Sequence, residues 1–205
     1  MATPANLSDL RNEFKARGFD YLPDSRANYM INAAINEILD LEAWPFLEAS
    51  TAGVPPLTIS DLKEVLSVTN TTTSESISYV DRRLLTSTGT VLTTVSSPAN
   101  WYYEGTQIAT YPLTTSSITV RYIKAPTELS SDADVPGIPH RYKEVIVLGA
   151  VIRAYMDNDD WQQVAAARQE WDRQVSVMKD SYFKREHDPG YILVTQPHDW
   201  KYGGF

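Results

Sequence analysis

Three histidines, His140, His187 and His198, are the side chains of this sequence best suited to moving protons or holding a metal near neutral pH. Two of them repeat a step, His187-Asp188 and His198-Asp199, in which a carboxylate stands beside an imidazole. Neither has a second ligand one helical turn away, as the H-E-x-x-H arrangement of zinc enzymes requires. Both read as surface or interface histidines, and His140, directly after Pro139, reads as part of a helix start. Asp157-Asn158-Asp159-Asp160 has the acidic opening of a calcium loop but lacks the glycine and the bidentate glutamate that complete one. Asp159 or Asp160 is expected instead to cap the helix that follows, its carboxylate at the positive helix end.

Other chemistry has less to work with. No G-x-S-x-G nucleophile turn and no glycine-rich phosphate loop occurs. Cysteine is absent, which removes thiolate catalysis, cysteine-ligated zinc and disulfides. The sequence therefore assigns no catalytic residue, no cofactor and no metal, and it reads as a non-enzyme. Eighteen Lys and Arg stand against 26 Asp and Glu, a net charge of −8. That balance disfavours a protein that grips nucleic-acid phosphates, whose affinity comes from basic side chains. Trp101-Tyr102-Tyr103 could form a stacking platform for a sugar, the basis of an alternative reading as a β-rich recognition module for carbohydrate or a receptor. In a hairpin the same residues more simply cover the sheet.

Two features point to assembly. Arg168 interrupts the helical stripe Trp161, Val164, Trp171, Val175, Met178 and Tyr182. A lone charge in an apolar seam needs a carboxylate partner or marks a face turned to another subunit. Residues 187–205 have no helical period, yet carry Tyr191, Ile192, Leu193, Val194, Trp200, Tyr202 and Phe205. Ile192-Leu193-Val194 has the β propensity to join another sheet, and the large aromatics suit a partner's pockets.

The elements that position these residues follow from composition. Ser and Thr number 26 in residues 51–125, against 4 before and 6 after. Four basic and eight acidic residues precede that segment, five of each lie in it, and nine basic and thirteen acidic follow. A neutral, β-branched middle thus separates two acidic flanks. Leu7, Leu10 and Phe14, capped by Asn6 or Ser8 and stopped by Gly18, predict one helix. Ile31, Ala34, Ile35, Ile38 and Leu41 predict a second, begun at Pro23-Asp24 and ended by Trp44-Pro45-Phe46-Leu47. Val145, Leu148, Gly149, Ile152 and Met156 predict a third, and the Arg168 stripe the fourth. Short alternating runs in the middle, among them Ile118, Val120 and Tyr122, predict strands with tight turns. The expected fold is α+β: a mainly α-helical bundle built from both chain ends, with an inserted small antiparallel β domain and an extended C-terminal tail. The expected boundaries are 1–50 and 126–186 for the helical domain, 51–125 for the insertion and 187–205 for the tail. No stretch approaches the ~20 apolar residues of a membrane helix, and residues 1–6 lack a signal-peptide pattern, so the chain reads as soluble.

Ile31-Asn32-Ala33-Ala34-Ile35-Asn36-Glu37-Ile38, closed by Trp44-Pro45-Phe46-Leu47, resembles the second helix of tailed-phage head-to-tail adaptor proteins. Tyr122-Ile123-Lys124-Ala125-Pro126 is similar to the Tyr-x-x-x-Pro step that closes the β insertion in that family. The linker from Leu129 to Pro136, then Pro139 and an apolar helix, is similar to its return into the helices. The resemblance implies a structural virion protein, a connector in the neck between capsid portal and tail, assembled in the host cytoplasm. It implies a homo-oligomeric ring, typically of twelve copies, that binds the portal, extends the channel for genome ejection and docks a downstream tail or tail-terminator protein. Contact with channel DNA would be transient and non-specific, with no membrane partner. Twelve copies at −8 would place roughly −96 on the ring, compatible with passing DNA without holding it.

Overall fold

The computed structural model describes residues 5–87 and 95–183. Asn6 opens the first helix, α1 (Leu7–Phe14), through a reciprocal cap. Its side chain accepts the Asp9 N–H at 2.9 Å, and the Asp9 carboxylate accepts the Asn6 N–H at 3.2 Å. Leu7, Leu10 and Phe14 are fully buried as their spacing predicts. A π-helical turn (Lys15–Phe19) follows, and Gly18 ends the regular geometry at φ +98°, a region glycine enters without strain. Pro23 leads into α2 (Asp24–Asp40), whose Ile31, Ala34, Ile35 and Ile38 are buried. Leu41 lies past the helix end and is exposed, so it is not part of that face. Trp44, before a short 3₁₀ turn (Pro45–Leu47), is fully buried and donates its indole N–H to the Ile38 carbonyl at 2.8 Å.

The middle of the chain forms one seven-stranded, nearly closed sheet. Its strands are β1 (Glu48–Gly53), β2 (Leu57–Thr58), β3 (Leu62–Asn70), β4 (Ser76–Tyr79), β5 (Asn100–Glu104), β6 (Gln107–Tyr111) and β7 (Ile118–Lys124). Their order is β1-β7-β3-β4-β5-β6-β2. β1 begins shortly before the composition border at residue 51, because Glu48-Ala49-Ser50 already pairs with Ile123, Tyr122 and Arg121. β5 and β6 form the hairpin expected at Glu104-Gly105-Thr106, with Gly105 at φ +63° and Glu104 opposite Gln107. One expectation needs correction: β4 and β5 run parallel, with Ser78 opposite Asn100 and Tyr79 opposite Trp101. A parallel pair needs a long crossover, and residues 80–99 supply it. They include a short helix, α3 (Arg82–Ser87), that the sequence reading did not foresee.

The chain then returns through a linker to α4 (Lys143–Asp157) and α5 (Trp161–Phe183). α4 is buried almost all round, from Val145 through Ile152, because α1, α2 and α5 all pack on it. Gly149 permits the closest approach: a Cβ there would stand 2.8 Å from the Ala34 Cβ. Trp171 of α5 donates its indole N–H to the Val145 carbonyl at 3.1 Å. Met156 is half-exposed, and Trp161 is 61% exposed, against the expectation that both face the core. The helical period holds through both residues, but they flank the turn between α4 and α5, where no neighbouring element among the described residues covers them. About 46% of the described residues are helical, and the fold is mixed α and β.

Two large hydrophobic clusters result, beside a small one of Leu85, Tyr102 and Ala109. One draws on α1, α2, α4 and α5 together with Trp44, Leu129 and Ile138. The other fills the sheet with Val68, Ile77, Trp101, Ile108, Ile118, Val120 and Tyr122. β7 contributes to both, since Ile123 turns away from Tyr122 and enters the helical cluster. No helix among the described residues is long and apolar enough to cross a membrane.

Candidate functional site

Arg168 has the carboxylate partner that its place in the stripe requires. Its Nη1 donates to Glu37 of α2 at 2.9 Å, and its Nε lies 3.5 Å from Asp172 one turn on. The guanidinium carbon stands 4.5 Å from the Trp171 ring centre. Glu37 also accepts a 2.8 Å bond from Arg153 of α4, whose guanidinium donates to the carbonyls of Gly149 and Ala33 as well. Three helices thus meet at one carboxylate. Burial pushes the Glu37 carboxyl up, but the hydrogen bonds from Arg153 and Arg168 outweigh it and hold the group below its ordinary value. The Arg168 side chain is 46% exposed, so this is a pair at the edge of the core.

Sequence reasoning missed Glu37 and Arg153, although a signal was present. Arg153 is the single charge within residues 145–156, the same kind of interruption that singled out Arg168. It also missed Asn32, which is buried on α2 and binds the return linker through both backbone polar groups of one residue. The Leu129 N–H donates to Asn32 Oδ1, and Asn32 Nδ2 donates to the Leu129 carbonyl, each at 2.9 Å. Arg11 to Asp132 at 2.9 Å and the Leu7 N–H to the Asp134 carbonyl at 2.9 Å tie the same linker to α1.

An apolar end surface is the second candidate. Tyr21, Tyr29 and Trp161 are 60%, 62% and 61% exposed, and Met156 is nearly half-exposed. Polar ties hold this end together: Asn158 Nδ2 donates to the Tyr21 hydroxyl at 2.6 Å, and Arg26 Nε reaches Asp157 at 3.1 Å. Arg26 also lies over the Tyr29 ring, 5.1 Å from its centre. Exposed aromatics around a few polar ties are the composition of a protein interface.

The remaining candidates divide. Trp101 and Tyr102 are buried on opposite faces of β5, as alternation along a strand dictates. Only Tyr103, beside Tyr79 on the neighbouring strand, reaches solvent, so the three residues do not make a stacking platform. His140 starts a 3₁₀ turn (His140–Tyr142), as its position after Pro139 predicts. Asp160 caps α5, accepting the Gln163 N–H at 3.2 Å. Among the described residues no three His, Asp or Glu side chains come together to hold a metal ion. A cleft of about 430 Å³ lies between α2 and the linker, lined by Ile35, Leu39, Leu47, Leu129 and Val135. Its Asp134 is engaged, accepting the Ser130 and Ser131 N–H groups at 2.8 Å each. His187, His198 and the tail residues Ile192, Leu193, Val194, Trp200, Tyr202 and Phe205 lie outside the described residues.

The match with known proteins is to a family. No curated protein matches the chain. The family model described as SU10 adaptor protein matches residues 5–190, covering the helices, the sheet and the linker between them. The chain belongs to the SU10 adaptor protein family, a family of bacteriophage head–tail adaptors.

Proposed function

We propose that the protein is a structural component of the virion neck that forms a ring beneath the portal, extends the DNA channel and docks the tail. The observation that carries this is the family match across nearly the whole chain. Twelve is the copy number to test first. In this reading the helices before and after the sheet act as one body, supported by the single cluster they share. Arg168 and the apolar end at Tyr21, Tyr29 and Trp161 contribute subunit contacts, supported by their exposure. The tail residues Ile192, Leu193, Val194, Trp200, Tyr202 and Phe205 attach the subunit to the portal or to its neighbour. The acidic balance of the chain favours passage of DNA over retention.

Electron microscopy of the protein mixed with the portal protein of its virus is the direct test. Rings seated on the portal are the expected result, and a protein that stays monomeric and unbound would overturn the reading. Truncation after Glu186 should leave the melting temperature nearly unchanged and abolish attachment. A truncated protein that still binds portal with unchanged affinity would remove the tail from this role.

A further inference from the structure

β1 is an edge strand. It pairs with β7 on one side, and the one described backbone hydrogen bond of residues 48–53 outside the ladder runs from the Glu48 N–H to the Pro45 carbonyl, leaving the edge from Ala49 on open. Every second residue of β1 therefore presents an N–H and a C=O outward, a template for one more strand. Its side chains suit an added neighbour. Ala49, Thr51 and Gly53 lie half-buried on the side of the sheet core, and all are small. Glu48, Ser50 and Ala52 are exposed on the opposite face.

The end of α5 lies at the start of this edge. The Phe183 ring is 5.7 Å from Trp44, and Tyr182 is 5.3 Å from Phe46, two residues before β1. Twenty-two residues follow Phe183. The first seven, 184–190, can span about 25 Å. Next comes Tyr191-Ile192-Leu193-Val194-Thr195, a run of β-branched and large apolar residues.

We propose that residues 191–195 of one copy add as a strand to the open edge of β1 in the neighbouring copy. The inference rests on the ring reading above. In that strand Ile192 and Val194 share one face and Leu193 the other. With Ile192 and Val194 beside Ala49 and Thr51, two β-branched side chains fill the space that small residues leave, and Leu193 lies beside Ser50. A tail paired with its own β1 would close that edge without joining copies. Passed to the next copy, each tail makes a head-to-tail contact, and a closed ring leaves no β1 edge and no tail unpaired. Residues 196–205, with Trp200, Tyr202 and Phe205, remain free to engage the portal.

The absence of native cysteine gives a clean test. Full-length Ser50→Cys and Leu193→Cys chains are mixed with the portal protein of the virus and oxidised mildly. The expected product is a disulfide-linked dimer joining one chain of each type, lost when the Leu193→Cys partner also carries Ile192→Pro. A Gly203→Cys chain mixed with Ser50→Cys should give at least tenfold less of it. Glu48→Cys, on the same exposed face, serves as a second probe of the edge. If the dimer fails to form with either probe, or if a chain carrying both Ser50→Cys and Leu193→Cys only closes on itself, the proposal is overturned. Electron microscopy of the same samples separates the two readings: rings without the cross-link overturn strand exchange alone, whereas absence of rings counts against the adaptor role.

Discussion

Replacing Arg168 with Ala tests how much the meeting point of three helices depends on its outermost member. A deeply buried pair would cost ~3 kcal/mol or more, because removal of one partner strands the other charge. The structure gives a smaller value. Glu37 keeps its 2.8 Å bond from Arg153 after Arg168 is gone, so its carboxylate is not stranded. With the Arg168 side chain 46% exposed, the ion pair falls in the surface range of about 0.2–1 kcal/mol. Stacking over Trp171 at 4.5 Å adds about 0.5–1 kcal/mol. Together these predict a loss of about 1–2 kcal/mol, seen as a fall in Tm of about 2–8 °C for a chain of this size. Urea denaturation of the monomer is the assay, with Glu37→Gln and the double variant completing a cycle whose coupling should be below about 1 kcal/mol. A loss above ~3 kcal/mol would refute the reasoning, since Arg153 alone would then fail to hold Glu37. An unchanged midpoint would show that neither the pair nor the stack contributes.

Other substitutions probe the rest of the frame. Asn32→Ala leaves the Leu129 N–H and C=O without their partner and should cost about 2–4 kcal/mol in urea denaturation, with faster amide exchange at Leu129. Gly149→Ala gains about 1 kcal/mol of helix propensity. It also places a methyl 2.8 Å from Ala34, so thermal melts should show a net loss of about 1–2 kcal/mol, relieved in the Ala34→Gly double variant. Acid should destabilise the protein through depressed carboxyls. Asp24 is held down by the hydrogen bond from Lys15, and Asp134 by the Ser131 and Ser130 N–H groups. In Glu37 burial works upward, but Arg153 and Arg168 prevail. All three bind protons less readily folded than unfolded, so their stabilisation is complete above the ordinary carboxylate range and declines as pH drops through their lowered values. A urea midpoint that stays constant from pH 6 to pH 2 would contradict this.

Local signals in the sequence were strong where one element decides the outcome. The Asn6 cap, the Gly18 stop, the Trp44-Pro45 break and the Gly105 hairpin each depend on a few neighbouring residues, and each has the expected geometry. Long-range partnerships were not legible. Nothing near Glu37 announces that Arg153 and Arg168 converge on it from two other helices. Nothing near β4 shows that it pairs in parallel with β5 beyond a twenty-residue crossover. Trp161 fits the periodicity of α5 perfectly well, yet periodicity says which face a residue is on and not whether anything covers that face. The surface proposed for assembly was legible in part: Arg168 by its interruption of a stripe, the exposed Tyr21 and Tyr29 not at all.

Consecutive residues of β7 belong to different interiors: Tyr122 to the sheet and Ile123 to the helices. A pivot between the sheet and the helices at this strand would pull one of these side chains from its packing, at about 1.5–3 kcal/mol for each fully exposed residue. Beside them, Lys63 grips the Leu39 carbonyl at 2.8 Å and spans the same seam. The joint is therefore stiff in torsion. An axial push delivered to the sheet is passed to α2 and α4 through covalent backbone and close-packed side chains, with no soft hinge at β7 to absorb it. In the neck position proposed above, such a subunit would act as a strut.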